Sequence, residues 1–421
     1  MDVLGWQILK NGEYEIDLPI LSKDEEELII ATEERFKEAT RREESELLVE
    51  KILLKTAEES GIYLNMNQQD YLCRIATMHI CGFAFMENLI QDHEIEEISV
   101  IGPGKPIYVY LRKKGWKTVN ACFENEKAIA DMINKMGRSL GRHITMQNPR
   151  LDAALADGSR LHASLPPISQ GEITIRKFRD IPFSPKELVL NDTISLDSLA
   201  VLSILMQCDC SIIIGGNTAS GKTTTLNALF SFVPANERVI ITEETPEINI
   251  PHEHQLRLIA NKEMGIHLKD LVYDSLRMRP DRMIVGEVRN KEEAEALFDV
   301  LLAGQARGSY ATLHAQSVDE AVSRLRSFGI NENDVKCIDC IVIQRRMLLY
   351  DSKKRKNVEI RKIIEIRELG KTALMEQAAE SFGLNKQEME EELKKRKKLI
   401  TKAGLEYMEF YSHVQEQLFG G

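Results

Sequence analysis

Long apolar runs are missing from this chain. The longest, such as Leu199 to Met206, are the size of a core segment and far short of a membrane span, so no direct transmembrane anchor is expected. The N-terminal residues MDVLGWQILKNGEYEID lack a cationic start followed by an apolar block, so no secretory signal is expected either. Cysteine is sparse. Seven in 421 residues make no disulfide framework, which points to a reducing cytoplasm. Positive charge is in deficit: 55 Lys and Arg against 66 Asp and Glu give a formal net charge of -11. That balance argues against a broad electrostatic footprint on nucleic acid, though a local basic patch stays open. Aromatics make up only 6%, and no basic–aromatic stretch suited to stacking on single strands occurs. There is no internal repeat and no low-complexity segment.

What remains is an ordinary globular composition, 43% apolar and 29% charged, long enough for two or more domains with full cores. The chain divides into five stretches. Residues 1–90 read as an N-terminal helical region. Within it, 24–60 carries an apolar stripe in which Leu47 and Leu54 lie seven apart and Leu48 and Ile52 four apart. A helix packed on its own domain explains that stripe more simply than a partner-binding helix. A second helical stretch covers Gln68 to Ile90. Residues 91–180 change period and read as an α/β domain. Ile98 to Ile101, the turn GPGKP and Ile107 to Leu111 predict a hairpin. Ile129, Met132, Ile133, Met136 and Leu140 form one helix face, and short β-rich runs follow with turns at Asp157-Gly158 and Gln170-Gly171. Residues 181–197, with two prolines and few periodic apolar positions, read as a linker. Residues 198–366 alternate buried strands with helices, which implies a mostly parallel sheet covered on both faces and ending in a hairpin around the turn DSKKRK. Residues 367–421 read as a charged helical region.

One segment organises the rest. Ile212 to Ile214 run into Gly216, Asn217, Thr218, Ala219, Ser220, Gly221, Lys222 and Thr223, the full pattern G-x-x-x-x-G-K-[ST], and Thr224 onward can form a helix. Successive backbone N–H groups of such a loop cradle a triphosphate, and the helix start presents its positive end. Lys222 reaches the β- and γ-phosphates, and the Thr223 hydroxyl ligates Mg²⁺. ATP and Mg²⁺ are thus the expected ligands. Ala219 suits the loop if its φ is negative.

Three further constellations follow. ITEETPE brings Glu243, Glu244 and Glu247 after a buried strand, where a carboxylate can position water and others can hold hydrated Mg²⁺. Taken alone, a solvated acidic loop is the simpler account. SLRMRPDRMIVGEVRN places Glu287 at the end of a strand expected beside the phosphate-loop strand, with Arg277, Arg279, Arg282 and Arg289 around it, forks suited to phosphate or to salt bridges across a subunit interface. AGQARGSYATLHAQS contains His314. The pair Cys337 and Cys340 has no second pair to complete a zinc site and reads as packing, as do Cys208 and Cys210.

In this order the four segments resemble the Walker A, Asp, Walker B and histidine boxes of the secretion ATPase superfamily, which includes the type II secretion, type IV secretion, type IV pilus and archaellum motors. The resemblance runs over about residues 90 to 350, and RMRPDRMIVGEVR with GSYATLHA is highly specific. EIEEISVIGPGKPIYVY and LDAALADGSRLHASLPP…ITIRKF resemble the family's second N-terminal domain. The resemblance implies an α/β protein with a PAS-like N-terminal α/β domain, a RecA-like P-loop NTPase domain and C-terminal helices. It implies that Glu287 acts on metal and water, with Thr223 as the other metal ligand. It makes Glu243 and Glu247 the Asp-box carboxylates and sets His314 near the γ-phosphate. Arg160 and Arg176 resemble the arginines that close over the phosphates. Glu244 stands where the family commonly has Asp, and Gln305 where many members have the first histidine of the histidine box. The implied protein is a homo-hexameric ring ATPase, cytoplasmic and peripheral to the inner face of the membrane. It works on a polytopic membrane platform protein of a pilus or secretion machine and takes no nucleic acid. A nucleic-acid translocase and a non-hydrolysing scaffold are the rival readings. The acidic balance opposes the first and the full carboxylate set the second.

Overall fold

Helix starts are written locally. Ser22 with Glu25, Asn65 with Gln68, Ser184 with Glu187 and Asn385 with Glu388 form capping boxes, in which each cap side chain and the side chain three residues on satisfy one another's backbone N–H groups. The structure is a computed structural model. It describes residues 6–9, 12–39, 45–111, 114–138, 141–145, 147–155, 157–177, 181–261, 264–304, 306–352, 355–370 and 373–420. Two units emerge, residues 1–179 and 180–421.

The first unit holds β1 (Trp6–Ile8), α1 (Lys23–Glu38), α2 (Ser45–Glu59), α3 (Met66–Ile80), α4 (Met86–Gln91), β2 (Ile95–Val100), β3 (Pro106–Leu111), β4 (Gly115–Phe123), α5 (Glu126–Arg138), β5 (Arg150–Ala154), β6 (Arg160–Ser164) and β7 (Glu172–Arg176). Helices α1–α3 enclose a small core of their own around Ile29, Val49, Leu53 and Leu72. The buried stripe of α2 therefore centres on Val49, Leu53 and Ala57 and leaves Leu47 half exposed, so the stripe sits one position away from the expected one. The strands make an antiparallel sheet in the order β1-β4-β3-β2-β7-β6-β5. Ile129, Ile133 and Met136 of α5 join its core with Ile98, Val109 and Ile173. Leu140, expected on the same face, lies outside the described residues.

The second unit holds α6 (Pro185–Leu190), α7 (Leu196–Leu205), β8 (Ile212–Gly216), α8 (Lys222–Leu229), β9 (Val239–Glu243), β10 (Gln255–Ile259), α9 (Leu268–Ser275), β11 (Arg282–Val288), α10 (Lys291–Ala303), β12 (Gly308–Leu313), α11 (Val318–Ser327), α12 (Glu332–Val335), β13 (Cys340–Asp351), β14 (Lys356–Glu368), α13 (Leu374–Phe382), α14 (Lys386–Lys402) and α15 (Tyr407–Phe419). The sheet order is β10-β9-β11-β12-β8-β13-β14, parallel throughout except for the terminal hairpin β13–β14. Strand side chains alternate between two cores. Ile212, Ile214, Ile241, Ile284 and Val342 face one, and Ile213, Met283, Val285, Ala311 and Ile341 face the other. Burial on both faces is why these strands read as unbroken apolar runs.

Three expectations change here. β12 stands between β11 and β8, so the Glu287 strand is not beside the phosphate-loop strand. The segment read as a linker contains α6, and its Leu188 and Ile194 are buried in the first of these cores. Leu374, Met389, Phe410 and Val414 of the C-terminal helices belong to that same core, so these helices complete the sheet's cover. None of the seven cysteines is in a disulfide, with Cys208, Cys210 and Cys340 buried and Cys337 half-buried. No described helix is long and apolar enough to cross a membrane.

Candidate active site

The site forms at the carboxyl ends of the parallel strands. Three β-branched residues carry β8 into a loop that only glycine can make at two points. A Cβ on Gly216 would stand 2.3 Å from Gln344 O and 2.4 Å from Ser220 Oγ, and Gly221 sits at φ 96° just before α8. Ala219 has φ 58°, so the condition of a negative φ is not met. The loop holds an alanine in the left-handed region, which costs about 1–2 kcal/mol. Thr218 is exposed at the loop, Ser220 is buried, and Thr224 lies in the first turn of α8. First-turn amides of a helix have no intrahelical acceptor, so this end of α8 is built to receive an anion.

Lys222 Nζ donates to Gly216 O at 3.2 Å and lies 3.9 Å from Glu287 Oε1. The Glu287 carboxylate is the hub of the site. Its Oε1 is 2.9 Å from His314 Nε2, and its Oε2 accepts from Arg289 Nε at 2.6 Å. Arg289 also pairs with Glu244. Burial lowers the His314 pKa, with Lys222 adding to the effect, so the ring stays neutral near pH 7. Thr223 Oγ1 donates to Glu247 Oε2 at 2.8 Å. Glu287 and Thr223, expected together on a metal, thus have different carboxylate and histidine partners.

Glu243 behaves unlike an open catalytic carboxylate. It is 2% exposed, and its Oε1 accepts the N–H groups of Glu247 and Ile248, both at 2.8 Å. Its Oε2 is buried, 3.5 Å from Arg257 Nε. Burial pushes its pKa up to about 7. Gly286 makes room for it: a Cβ there would lie 3.0 Å from Glu243 Cγ.

The four flanking arginines separate. Arg289 enters the site, Arg277 and Arg279 are exposed, and Arg282 is fully buried at the opposite end of β11 on Glu237. Arg160 and Arg176, in the first unit, are direct cross-strand partners on β6 and β7. Glu97 on β2 is the other cross-strand partner of Arg176. Gln305 lies outside the described residues.

Several supporting residues escaped the motif reading. Thr225 Oγ1 donates to Gln344 Oε1 at 2.6 Å, and Gln344 is buried in β13. Asn217 is clipped to the backbone of Arg346 by two bonds, Nδ2 to O at 3.0 Å and N to Oδ1 at 2.9 Å. A lone Gln ending the apolar run CIVIQ was the available signal for the first, since a buried amide needs a partner.

The sequence model of the family described as "Type II/IV secretion system protein" matches residues 83–411. The chain belongs to this family, the secretion ATPase superfamily. An uncharacterized protein of Methanocaldococcus jannaschii is 34% identical over 65% of this chain and 50% of its own length, so the chain spans about half of that relative. The type IV secretion system protein VirB11 of Bartonella quintana is 27% identical over 58% of this chain and 85% of its own length. The X-ray structure of the Yersinia pseudotuberculosis ATPase DotB is similar with a TM-score of 0.50 at 17% identity, covering 75% of this chain and 84% of that one. That likeness speaks for the fold, a RecA-like ATPase domain preceded by an N-terminal α/β domain.

Proposed function

We propose that this chain is an Mg²⁺-dependent ATPase that powers assembly or transport by a type II secretion or type IV pilus-like membrane machine. The observation that carries this reading is the convergence on Glu287. A lysine at the mouth of a complete phosphate loop, a neutral histidine and an arginine meet one carboxylate at the strand ends. Lys222 and the loop amides 217–224 bind the phosphates. Glu287 orients and polarises water while His314 holds its other side. Among the described residues no group of three or more His, Cys, Asp and Glu forms a metal cage. This suits Mg²⁺, which binds through few protein ligands plus substrate phosphates. Thr223 and Glu287 would hold it, and when bound it neutralises charge on the β- and γ-phosphate oxygens. On the family resemblance, Arg160 and Arg176 form a second phosphate-binding element, guanidinium forks being suited to phosphate. The family resemblance supports a homo-hexameric ring, peripheral to the inner face of the cytoplasmic membrane and acting on a polytopic platform protein.

The test is Lys222→Ala. It removes the charge that reaches the phosphates and should abolish Mg²⁺-dependent ATP turnover while leaving the melting curve intact. Near-normal turnover in that variant would sink the reading. Light-scattering mass with a non-hydrolysable ATP analogue tests the ring, which should weigh about six times the 47.9 kDa chain; a persistent monomer would count against it.

A further inference from the structure

The acidic segment that supplies Glu247 is held from two sides. From below, the buried Glu243 carboxylate accepts the N–H groups of Glu247 and Ile248. From the side, one amide of the phosphate-loop helix grips it: Asn227 Nδ2 donates to Glu247 O at 3.2 Å, and Asn227 Oδ1 accepts from Asn249 N at 3.1 Å. Asn227 is 6% exposed. Its own backbone O accepts from Tyr407 Oη at 3.0 Å, and Tyr407, 3% exposed, opens the last helix. Thr223 and Asn227 are one helical turn apart, on the same side of α8. The grip on the Glu247 backbone and the Thr223 bond to its carboxylate therefore act on one residue from one helix.

We infer that Asn227 is a positioning residue. By clamping residues 247–249 to α8 it holds the Glu247 carboxylate on the Thr223 hydroxyl proton, which leaves the Thr223 oxygen lone pairs directed away from Glu247 and available to Mg²⁺. Tyr407 fixes the same turn of α8 and makes the C-terminal helix a second anchor of that geometry. The inference rests on the proposed Mg²⁺-ATPase reading. Outer partners that orient a metal ligand are worth about 10–100-fold in metal affinity.

The experiment compares the full chain with Asn227→Ala and Tyr407→Phe. Binding of a fluorescent ADP analogue is titrated in EDTA and then against Mg²⁺, and the Mg²⁺ midpoint of ATP turnover is measured alongside. In Asn227→Ala, affinity in EDTA should stay within about twofold of wild type, because Lys222 and the loop amides are untouched, while the Mg²⁺ midpoint rises about tenfold. Tyr407→Phe should shift it in the same direction by about threefold, and it keeps the test alive if Asn227→Ala fails to fold. Unchanged Mg²⁺ midpoints would overturn the inference, and so would a parallel loss of affinity with and without Mg²⁺. If the wild-type chain itself shows neither Mg²⁺-dependent binding nor turnover, the proposed function fails instead.

Discussion

Strand β11 begins and ends in an arginine–carboxylate cluster, and the two are opposites. At its start Arg282 is fully buried with all five donors used: Nε on Glu237 Oε2 at 2.5 Å, Nη1 on Cys208 O at 2.8 Å and Tyr310 Oη at 3.0 Å, and Nη2 on Gln207 O at 3.4 Å and Glu237 Oε1 at 3.3 Å. At its end Glu287 shares its oxygens among Arg289, His314 and Lys222, and the side chains of His314 and Arg289 are 35% and 43% exposed. A saturated, dry cluster has nothing left to offer a ligand. An open one leaves its partners within reach of solvent. Both clusters lie in the single motif RMRPDRMIVGEVR, so residue type and spacing did not separate scaffold from chemistry; position along the strand did.

Removing one arginine at each end of β11 separates the two clusters. Arg282→Ala leaves Glu237 buried with Arg307, 3.0 Å away, as its one remaining cationic partner among the described residues, and should cost about 3–5 kcal/mol in urea denaturation. Arg289→Ala, on a partly exposed pair, should cost under about 1 kcal/mol. Equal losses would erase the distinction. Glu287→Gln then tests the chemistry. It should keep the fold and lower ATP turnover about 100-fold, which is about 2.7 kcal/mol of barrier. Turnover within a few-fold of wild type would move the catalytic role elsewhere.

The contrast also marks what could be read from sequence. The phosphate loop could be read because it is contiguous, and Glu287 and His314 were singled out through the family resemblance; the structure brings Lys222, Glu287 and His314 together. The alternation of core faces was legible because doubly buried strands are apolar throughout. Gln344 on Thr225 and Arg346 on Asn217 were not, since these pairs are 119 and 129 residues apart. The insertion of β12 between β11 and β8 depends on topology that local pattern does not carry. The edge strand β10 was missed because it is largely exposed and lacks an apolar run. The segment 181–197 looked like a linker because its few core residues, Leu188 and Ile194, find their partners far along the chain.

Glu243 sits between the two extremes, buried like Arg282 but next to the open site. Its folded-state pKa is raised to about 7 by burial. A raised carboxyl pKa means that the fold favours the protonated form. This contribution to stability is complete below the unfolded pKa of about 4.5 and is lost as pH rises through about 7. Glu243→Gln cannot ionise, and its Oε1 can accept the same two backbone N–H groups. Its stability relative to wild type should therefore increase from pH 4.5 to 8, by on the order of 1–3 kcal/mol. A pH-independent difference would show that Glu243 is ionised and paired throughout that range.

The smallest effect concerns the loop backbone. Ala219 at φ 58° stores strain at the open end, while the cluster on Arg282 makes every bond its guanidinium can. Ala219→Gly relieves a cost of about 1–2 kcal/mol in the folded state. The glycine also loosens the unfolded chain, which returns about 0.4–1 kcal/mol. The net gain should be about 0.5–1 kcal/mol, read as a higher urea midpoint at unchanged slope. A lower midpoint would mean that the ligand-free loop holds residue 219 at negative φ in solution. The strain at this end would then have to be introduced by the phosphates when they bind, and would not be stored in the fold beforehand.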